Sequence, residues 1–350
     1  GYCSGYSRRF RTRSKKTERM ILHLENKTPS VCIRDLEKNH FAKFIFHQDY
    51  IQAVTSKNTV IIPDSIAPYV IDSWPFDSDF QLGNVEYKPR RTVKIGHKLL
   101  GGNTKNLHLI AGPCSVESKE QITTVAKALI KNGITSIRAG CFKPRTSPYS
   151  FMGLGEEGLL LLNDVREEFG LNIVTEARDA TNIDLVLKYA DVVQIGTKSM
   201  YDHGILSACG ESDKTIMLKR GFGSTLQEFL QAAEFIMSAG NENVILCERG
   251  IRTFESKTRF TLDLCGVAFL KHHCNLPVVV DPSHALGHSY GIIDLSKAAT
   301  AMEVDGLLIE THPSPKEALS DASQQIDLKE LEQLCSSVQS LAKSLSLNII

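Results

Sequence analysis

No apolar run in this 350-residue chain approaches the ~18 residues of a membrane-spanning helix, so the sequence offers no transmembrane segment. Net charge is also missing, because 40 Lys and Arg balance 40 Asp and Glu. Nothing global therefore points to nucleic acid or to a membrane surface, and any strong field must be local. Paired cysteine spacings are absent too. Nine cysteines, an odd number, argue against a secreted disulfide scaffold and for a reducing, cytoplasmic setting. Most of them, Cys247 and Cys265 for example, read as core residues.

Acidic residues are nearly absent from positions 1–19, where Arg, Lys and Ser abound and Glu18 stands alone. That composition predicts a disordered basic tail. A transit-peptide remnant or a nucleic-acid arm would share it. The reading adopted is sequence upstream of a natural start at Met20, which directly precedes a strand-like run at 21–24. Residues 20–90 alternate short apolar runs (41–46, 59–62) with polar turns, enough for a small α+β domain, and they lack clustered catalytic groups. Residues 91–106, with glycines, basic residues and Asn103, read as a connector.

What is present begins at residue 107. Eight apolar runs of buried-strand length, at 107–111, 136–139, 172–175, 192–196, 215–219, 244–248, 277–281 and 306–310, alternate with segments of helical period. In 225–238, for instance, Leu226, Phe229, Leu230, Ala233 and Ile236 or Met237 recur on one face, and a last helix is expected over 328–345. Eight strand-helix units in roughly 250 residues predict an α/β fold, a (β/α)8 TIM barrel over 107–350, with its active site at the C-terminal ends of the strands.

Four potential metal ligands fit that geometry. Cys114 follows the first run, His284 the seventh, Glu310 ends the eighth, and Asp321 lies in the next loop. A lone Cys is usually a small core residue, and a lone His more often a turn residue. At strand ends that a barrel gathers on one face, the thiolate, imidazole and two carboxylates instead suit a divalent ion, Mn, Fe, Zn or Co, with no choice among them. The same face collects cations: Arg138, Lys143 and Arg145 after the second run, then Lys198, Lys219 with Arg220, and Arg249. Each alone reads as a solvated strand-end charge. Together they predict an anion cradle able to take two phosphorylated molecules.

Six stretches, AGPCSVES (111–118), KPRTSPYSFMGLGEEGL (143–159), LKRGF (218–222), ILCERGIRTFE (245–255), DPSHALG (281–287) and ETHPSPKEALSD (310–321), resemble in order the 3-deoxy-D-arabino-heptulosonate 7-phosphate (DAHP) synthases. The likeness covers about 107–345, and KPRTSP separates it from the related 3-deoxy-D-manno-octulosonate 8-phosphate synthases. A short N-terminal domain is similar to that of the beta subgroup of the type I enzymes, which implies a ferredoxin-like fold.

The resemblance implies metal-dependent, aldol-type condensation of phosphoenolpyruvate with erythrose 4-phosphate, releasing phosphate, at the start of the shikimate pathway. By match of motif, Arg138, Lys143, Lys219 and Arg249 would grip phosphoenolpyruvate, and Lys143, Arg145 and Thr146 the sugar phosphate; Pro144, Lys198 and Asp281 complete the expected substrate set. The ion on Cys114, His284, Glu310 and Asp321 would polarise the aldehyde. Lys143, His284 and Glu176, the last placed to orient or deprotonate water, form the expected catalytic set. A cytoplasmic homo-oligomer, dimer or tetramer, is implied, without nucleic acid or membrane.

Three departures stand out. Gly196-Thr-Lys-Ser199 replaces the family's usual GARN, so Lys198 cannot give the planar two-point contact of Arg. The turn after His284, Ala285–Gly291, lacks the usual arginines, with His288 a partial stand-in. The N-terminal domain is only loosely similar, so no feedback effector is implied. Alternative readings are a sugar-acid synthase using another aldose and a non-catalytic binding protein; assay of phosphate release against an aldose panel separates them.

Overall fold

The computed structural model of the chain describes residues 19–56, 61–78, 80–143, 147 and 149–350. The expected basic tail lies outside these except for Arg19. The chain divides into two compact units, residues 1–81 and 82–350.

In the first unit, strand β1 (Arg19–Leu24), helix α1 (Ser30–Lys38) and strands β2 (Ala42–Phe46), β3 (Ile51–Thr55) and β4 (Val70–Phe76) form an antiparallel sheet of order β2-β3-β1-β4. Leu22 and Leu24 alternate with the less buried His23, and with Ile33 of α1, Phe44, Ile51 and Ala53 they make one apolar cluster. Of the apolar run at 59–62, Ile61 and Ile62 are in irregular structure, and residues 59 and 60 lie outside the described set. Pro63 follows at once, and its missing N–H works against extending a ladder.

The second unit opens on a hairpin where a connector was expected, β5 (Thr92–Ile95) and β6 (Lys98–Gly101). Its apolar residues Val93, Ile95 and Leu100 are fully buried in one cluster with Ile110, Val174, Val192, Met217, Ile245 and Leu308 of the barrel interior. The hairpin plugs the N-terminal end of the barrel. Thr215 donates to the Lys94 carbonyl at 2.6 Å, and a Cβ on Gly96, at φ +56, would come within 2.1 Å of Asn172. Removing the side chain of a residue such as Ile95 falls in the range of core deletions, about 2–5 kcal/mol.

The eight expected strands form a closed parallel barrel: β7 (Asn106–Gly112), β8 (Ser136–Arg138), β9 (Asn172–Ala177), β10 (Val192–Ile195), β11 (Thr215–Lys219), β12 (Val244–Glu248), β13 (Val278–Val280) and β14 (Gly306–Glu310), with β14 pairing back to β7. The helices between them include α2 (Lys119–Lys131), α3 (Glu156–Phe169), α4 (Ile183–Tyr189), α5 (His203–Gly210), α6 (Leu226–Ser238) and α7 (Leu264–His273). After β13 come the short α8 (Pro282–Leu286) and α9 (Ile292–Ala301). Helix α10 (Leu328–Ser344) leads to β15 (Asn348–Ile349), which adds to β7. Thr225 and Glu228 form a reciprocal capping box on α6, and Asp327 and Glu330 another on α10, satisfying first-turn N–H groups.

Strand β13 is shorter than the run that predicts it. The Asp281 N–H still donates to the Glu248 carbonyl at 2.8 Å, but its side chain accepts the His284 N–H at 2.9 Å and Pro282 occupies the first helical position, so α8 begins at once. Cys265 is exposed, contrary to expectation: α7 turns Gly266, Val267 and Leu270 inward and Cys265 outward. Among the described residues, no helix is long and apolar enough to cross a membrane.

Candidate functional site

Three of the four candidate metal ligands, Cys114, Glu310 and Asp321, come together. Cys114, two residues beyond β7, is fully buried, and its sulfur donates to Asp321 Oδ2 at 3.3 Å. Ligand atoms of Cys114, Glu310 and Asp321 all lie within 4.8 Å of one another. His284, on α8, stands at the edge of this group with Nε2 3.4 Å from Glu310 Oε1 and Nδ1 2.6 Å from Asp281 Oδ2. The Asp281 carboxylate thus orients the ring, as carboxylates behind metal-binding histidines do.

The loop carrying Asp321 is fixed from two sides. Gln325 accepts the Cys114 N–H at 3.0 Å and donates to the Ser320 carbonyl at 2.8 Å, while Ser115 and Ser320 bond at 2.7 Å. Glu117 holds His312 at 3.2 Å and accepts the Leu319 N–H at 2.9 Å. Asp321 itself sits at φ +47, a left-handed conformation that Asp tolerates better than most residues.

Burial and neighbouring charge set the protonation preferences of the cluster. Burial, reinforced by Glu310 and Asp321, pushes the Cys114 thiol up to about 11. Burial would also raise Glu310, but His284, Arg138 and Lys143 outweigh it and hold the carboxyl down to about 2. Burial lowers the His284 pKa despite two carboxylates, which favours a neutral imidazole. Burial is likewise overcome at Asp281, which His284 and Lys219 keep well below the usual carboxylate range. Two carboxylates, a sulfur and an imidazole nitrogen facing a carboxylate oxygen concentrate electron pairs in one small volume. The donor set fits a divalent cation, which would lower the thiol pKa and bind the neutral imidazole.

A cavity of about 370 Å³ opens beside the cluster, within the usual range of roughly 300–1,000 Å³ for small-molecule sites. His284 and Asp321 form one wall. Lys143, Lys198, Lys219, Arg249 and Arg259 line it as cations, with Glu176, Ser147, Ser150, Gly196 and Thr197. Five cations face two carboxylates there, so the cavity favours anions.

Burial weakens the Lys143 ammonium, but Cys114, Glu176 and Glu310 outweigh it and raise its pKa. Lys219 donates to Asp281 at 2.7 Å. Lys198, on a 3-10 turn after β10, is exposed at the cavity, whereas Arg249 is only 4% exposed. Glu176, near the end of β9, accepts from Gln194 at 3.1 Å.

Three cations and one acid differ from expectation or lie beyond description. Arg138 does not line the cavity: its guanidinium donates to Glu310 at 2.6 Å and to the Pro113 carbonyl at 2.8 Å. Arg220 pairs with Glu248 at 2.9 Å and Asp263 at 2.8 Å, tying the loop after β12 to its own strand. Asp281, expected at the substrate, is 0% exposed behind Lys219 and His284, because it caps α8. Pro144, Arg145 and Thr146 lie outside the described residues. Arg259 and Gln324 were not anticipated. Arg259 donates to Gln324 at 2.6 Å, and Gln324 donates to Glu310 at 2.5 Å. Neither lies at a strand end, so only the folded loops reveal them.

The sequence profile described as the DAHP synthetase I family matches residues 86–346. The chain belongs to the DAHP synthetase I family. It is 42% identical over 271 residues, 77% of this chain and 80% of the relative, to phospho-2-dehydro-3-deoxyheptonate aldolase of Thermotoga maritima. A 2-dehydro-3-deoxyphosphooctonate aldolase of Syntrophotalea carbinolica is more distant, 31% identical over 259 residues, 69% of this chain and 92% of the relative. Among solved structures, the Thermotoga maritima DAHP synthase superposes with a TM-score of 0.77 at 35% identity, covering 95% of this chain and 100% of that one. A truncated form of that synthase gives 0.72 at 38% identity, over 77% and 99%. The N-terminal antiparallel sheet and (β/α)8 barrel of this chain are thus those of a DAHP synthase.

Proposed function

We propose that this cavity condenses phosphoenolpyruvate with erythrose 4-phosphate to DAHP and phosphate, the first step of the shikimate pathway and of aromatic amino acid biosynthesis. The observation that carries the reading is the junction of a Cys/Glu/Asp cluster, with His284 at its edge, and an anion cavity lined by five cations. Family membership supplies the reaction.

Cys114, His284, Glu310 and Asp321 would hold a divalent ion, Mn, Fe, Zn or Co, which when bound supplies Lewis-acid polarisation of the acceptor aldehyde. Lys143, Lys198, Lys219 and Arg249 face the phosphate and carboxylate of phosphoenolpyruvate, with Arg138 adding charge behind Glu310 and keeping it in place. Arg145 and Thr146 take the sugar phosphate. The methylene carbon of phosphoenolpyruvate forms the new C–C bond at the aldehyde carbon, whose oxygen takes a proton. Lys143, placed among the ligands and Glu176, is the donor at that oxygen. Water adds at the adjacent carbon, with Glu176 orienting it and accepting its proton. The C–O bond to phosphate then breaks, and the carbonyl forms.

The cytoplasmic setting is part of the same reading, since ligation needs Cys114 as a reduced thiol. A homo-oligomer, dimer or tetramer, rests on the family resemblance and is checked by sedimentation. Isotope transfer tests the chemistry: with ¹⁸O in the bridging position of phosphoenolpyruvate, the label should leave in phosphate. Label retained in the sugar acid would mean P–O cleavage and a different reaction.

A further inference from the structure

Arg249 is a buried cation on which the nearby acids, Asp281 foremost, act only through space. Among the described residues it makes no ion pair; its Nε has no hydrogen-bond partner, and Nη1 reaches only the Gly250 carbonyl, at a long 3.4 Å. What holds the guanidinium is an aromatic face: its Cζ lies 4.3 Å from the centroid of the Phe260 ring. Phe260 stacks on Phe222 at 5.6 Å, and Arg252 covers Phe222 at 4.6 Å. The result is an alternating stack that joins the loops following β11 and β12.

The stack is anchored by backbone. Phe260 donates to the Ala285 carbonyl at 2.9 Å and Arg259 to that of Leu286 at 3.1 Å, while Ile251 and Thr261 bridge the two arms of the loop. Arg252 donates to the Phe222 carbonyl at 2.6 Å. Gly250, at φ +96, is the residue that lets these arms meet, because a Cβ there would stand 2.8 Å from Phe260 and 2.9 Å from Ala285.

We infer that Phe260, backed by Phe222, is a positioning residue that holds Arg249 toward the cavity with its charge left free for phosphoenolpyruvate. A carboxylate partner would fix Arg249 equally well, but it would compete with the substrate anion for the same donors. An aromatic face orients a guanidinium without cancelling its charge. The inference rests on the cavity being the phosphoenolpyruvate site.

The test uses the metal-loaded full chain and measures phosphoenolpyruvate binding by calorimetry alongside steady-state kinetics. Phe260→Leu keeps apolar bulk and removes the ring. It should weaken phosphoenolpyruvate binding and raise its KM about five- to thirtyfold, the range between an exposed and a desolvated cation–π contact. The kcat, the KM for the aldose and metal affinity should stay within about twofold. Phe260→Tyr should restore wild-type values, and Phe222→Leu should move KM in the same direction by a smaller factor. In an Arg249→Ala background the Phe260→Leu change should add almost nothing. An equal loss in that background, or unchanged phosphoenolpyruvate affinity in Phe260→Leu, overturns the inference while leaving the site reading intact. Unchanged affinity in Arg249→Ala itself overturns both.

Discussion

Lys198 and Arg249 line the same cavity, yet burial separates what each is worth. Lys198 is exposed, and exposed charge pairs typically contribute at most about 1 kcal/mol. Lys198→Ala should therefore raise the KM for phosphoenolpyruvate by about fivefold or less, with Lys198→Arg equal to or better than the parent. Removing a buried charge partner costs about 2–5 kcal/mol, so Arg249→Ala should raise it by at least about thirtyfold. Equal effects in steady-state kinetics would remove burial as the deciding variable. Cys114→Ala tests the other half of the site. It should abolish stoichiometric metal binding, measured by metal content after gel filtration, while phosphoenolpyruvate still binds the cations. Retained stoichiometric metal would show that the thiol is not a ligand. Cys114, His284 and Glu310 were legible in the sequence because each sits at or just beyond a strand end. Phe260, Arg259 and Gln324 were not, since their positions depend on how long loops pack on one another.

At the scale of elements, continuous apolar runs carried the most information. The runs 215–219, 244–248 and 306–310 coincide with β11, β12 and β14 because each strand is buried on both faces. Strand β4 carries no such run: it is largely exposed, contains Pro75, and owes its place to pairing with β1. The hairpin lacks one too, its three apolar residues gaining meaning only inside the barrel.

Strand β7 also carries a titration. His108 is 0% exposed, bonds Ser136 at 2.8 Å, and is pushed down to about 4 by burial and then by Lys98. Its folded pKa lies below the unfolded value near 6.5, so the unfolded chain binds the extra proton first. Stability from keeping this ring neutral is full above about pH 6.5 and declines as pH falls toward 4, by about 3 kcal/mol at most. Urea midpoints should therefore drop more steeply across that window in the parent than in His108→Gln. Parallel curves would show that His108 does not contribute.

For the whole molecule, the second compact unit begins at Leu82. Leu82 is 1% exposed, and its carbonyl accepts from Arg91 and Asn275, both at 2.9 Å, within the barrel unit. A chain beginning at Leu82 should fold cooperatively and retain metal binding and some turnover, whereas one beginning at residue 88 should melt at lower temperature. Identical melting would show that residues 82–87 add nothing. The barrel was legible as a whole because strand length, helical period and strand-end chemistry all agreed. The N-terminal unit offered only short alternations and no chemistry.

The central claim is that the cavity joins phosphoenolpyruvate to erythrose 4-phosphate at a metal-dependent site. Phosphate release by the metal-loaded chain, measured with phosphoenolpyruvate and a panel of aldoses, tests it most directly. The account predicts release that depends on erythrose 4-phosphate, stops on chelation and returns with a divalent ion. Preference for a pentose phosphate, release unaffected by complete metal removal, or no release with any aldose would contradict it.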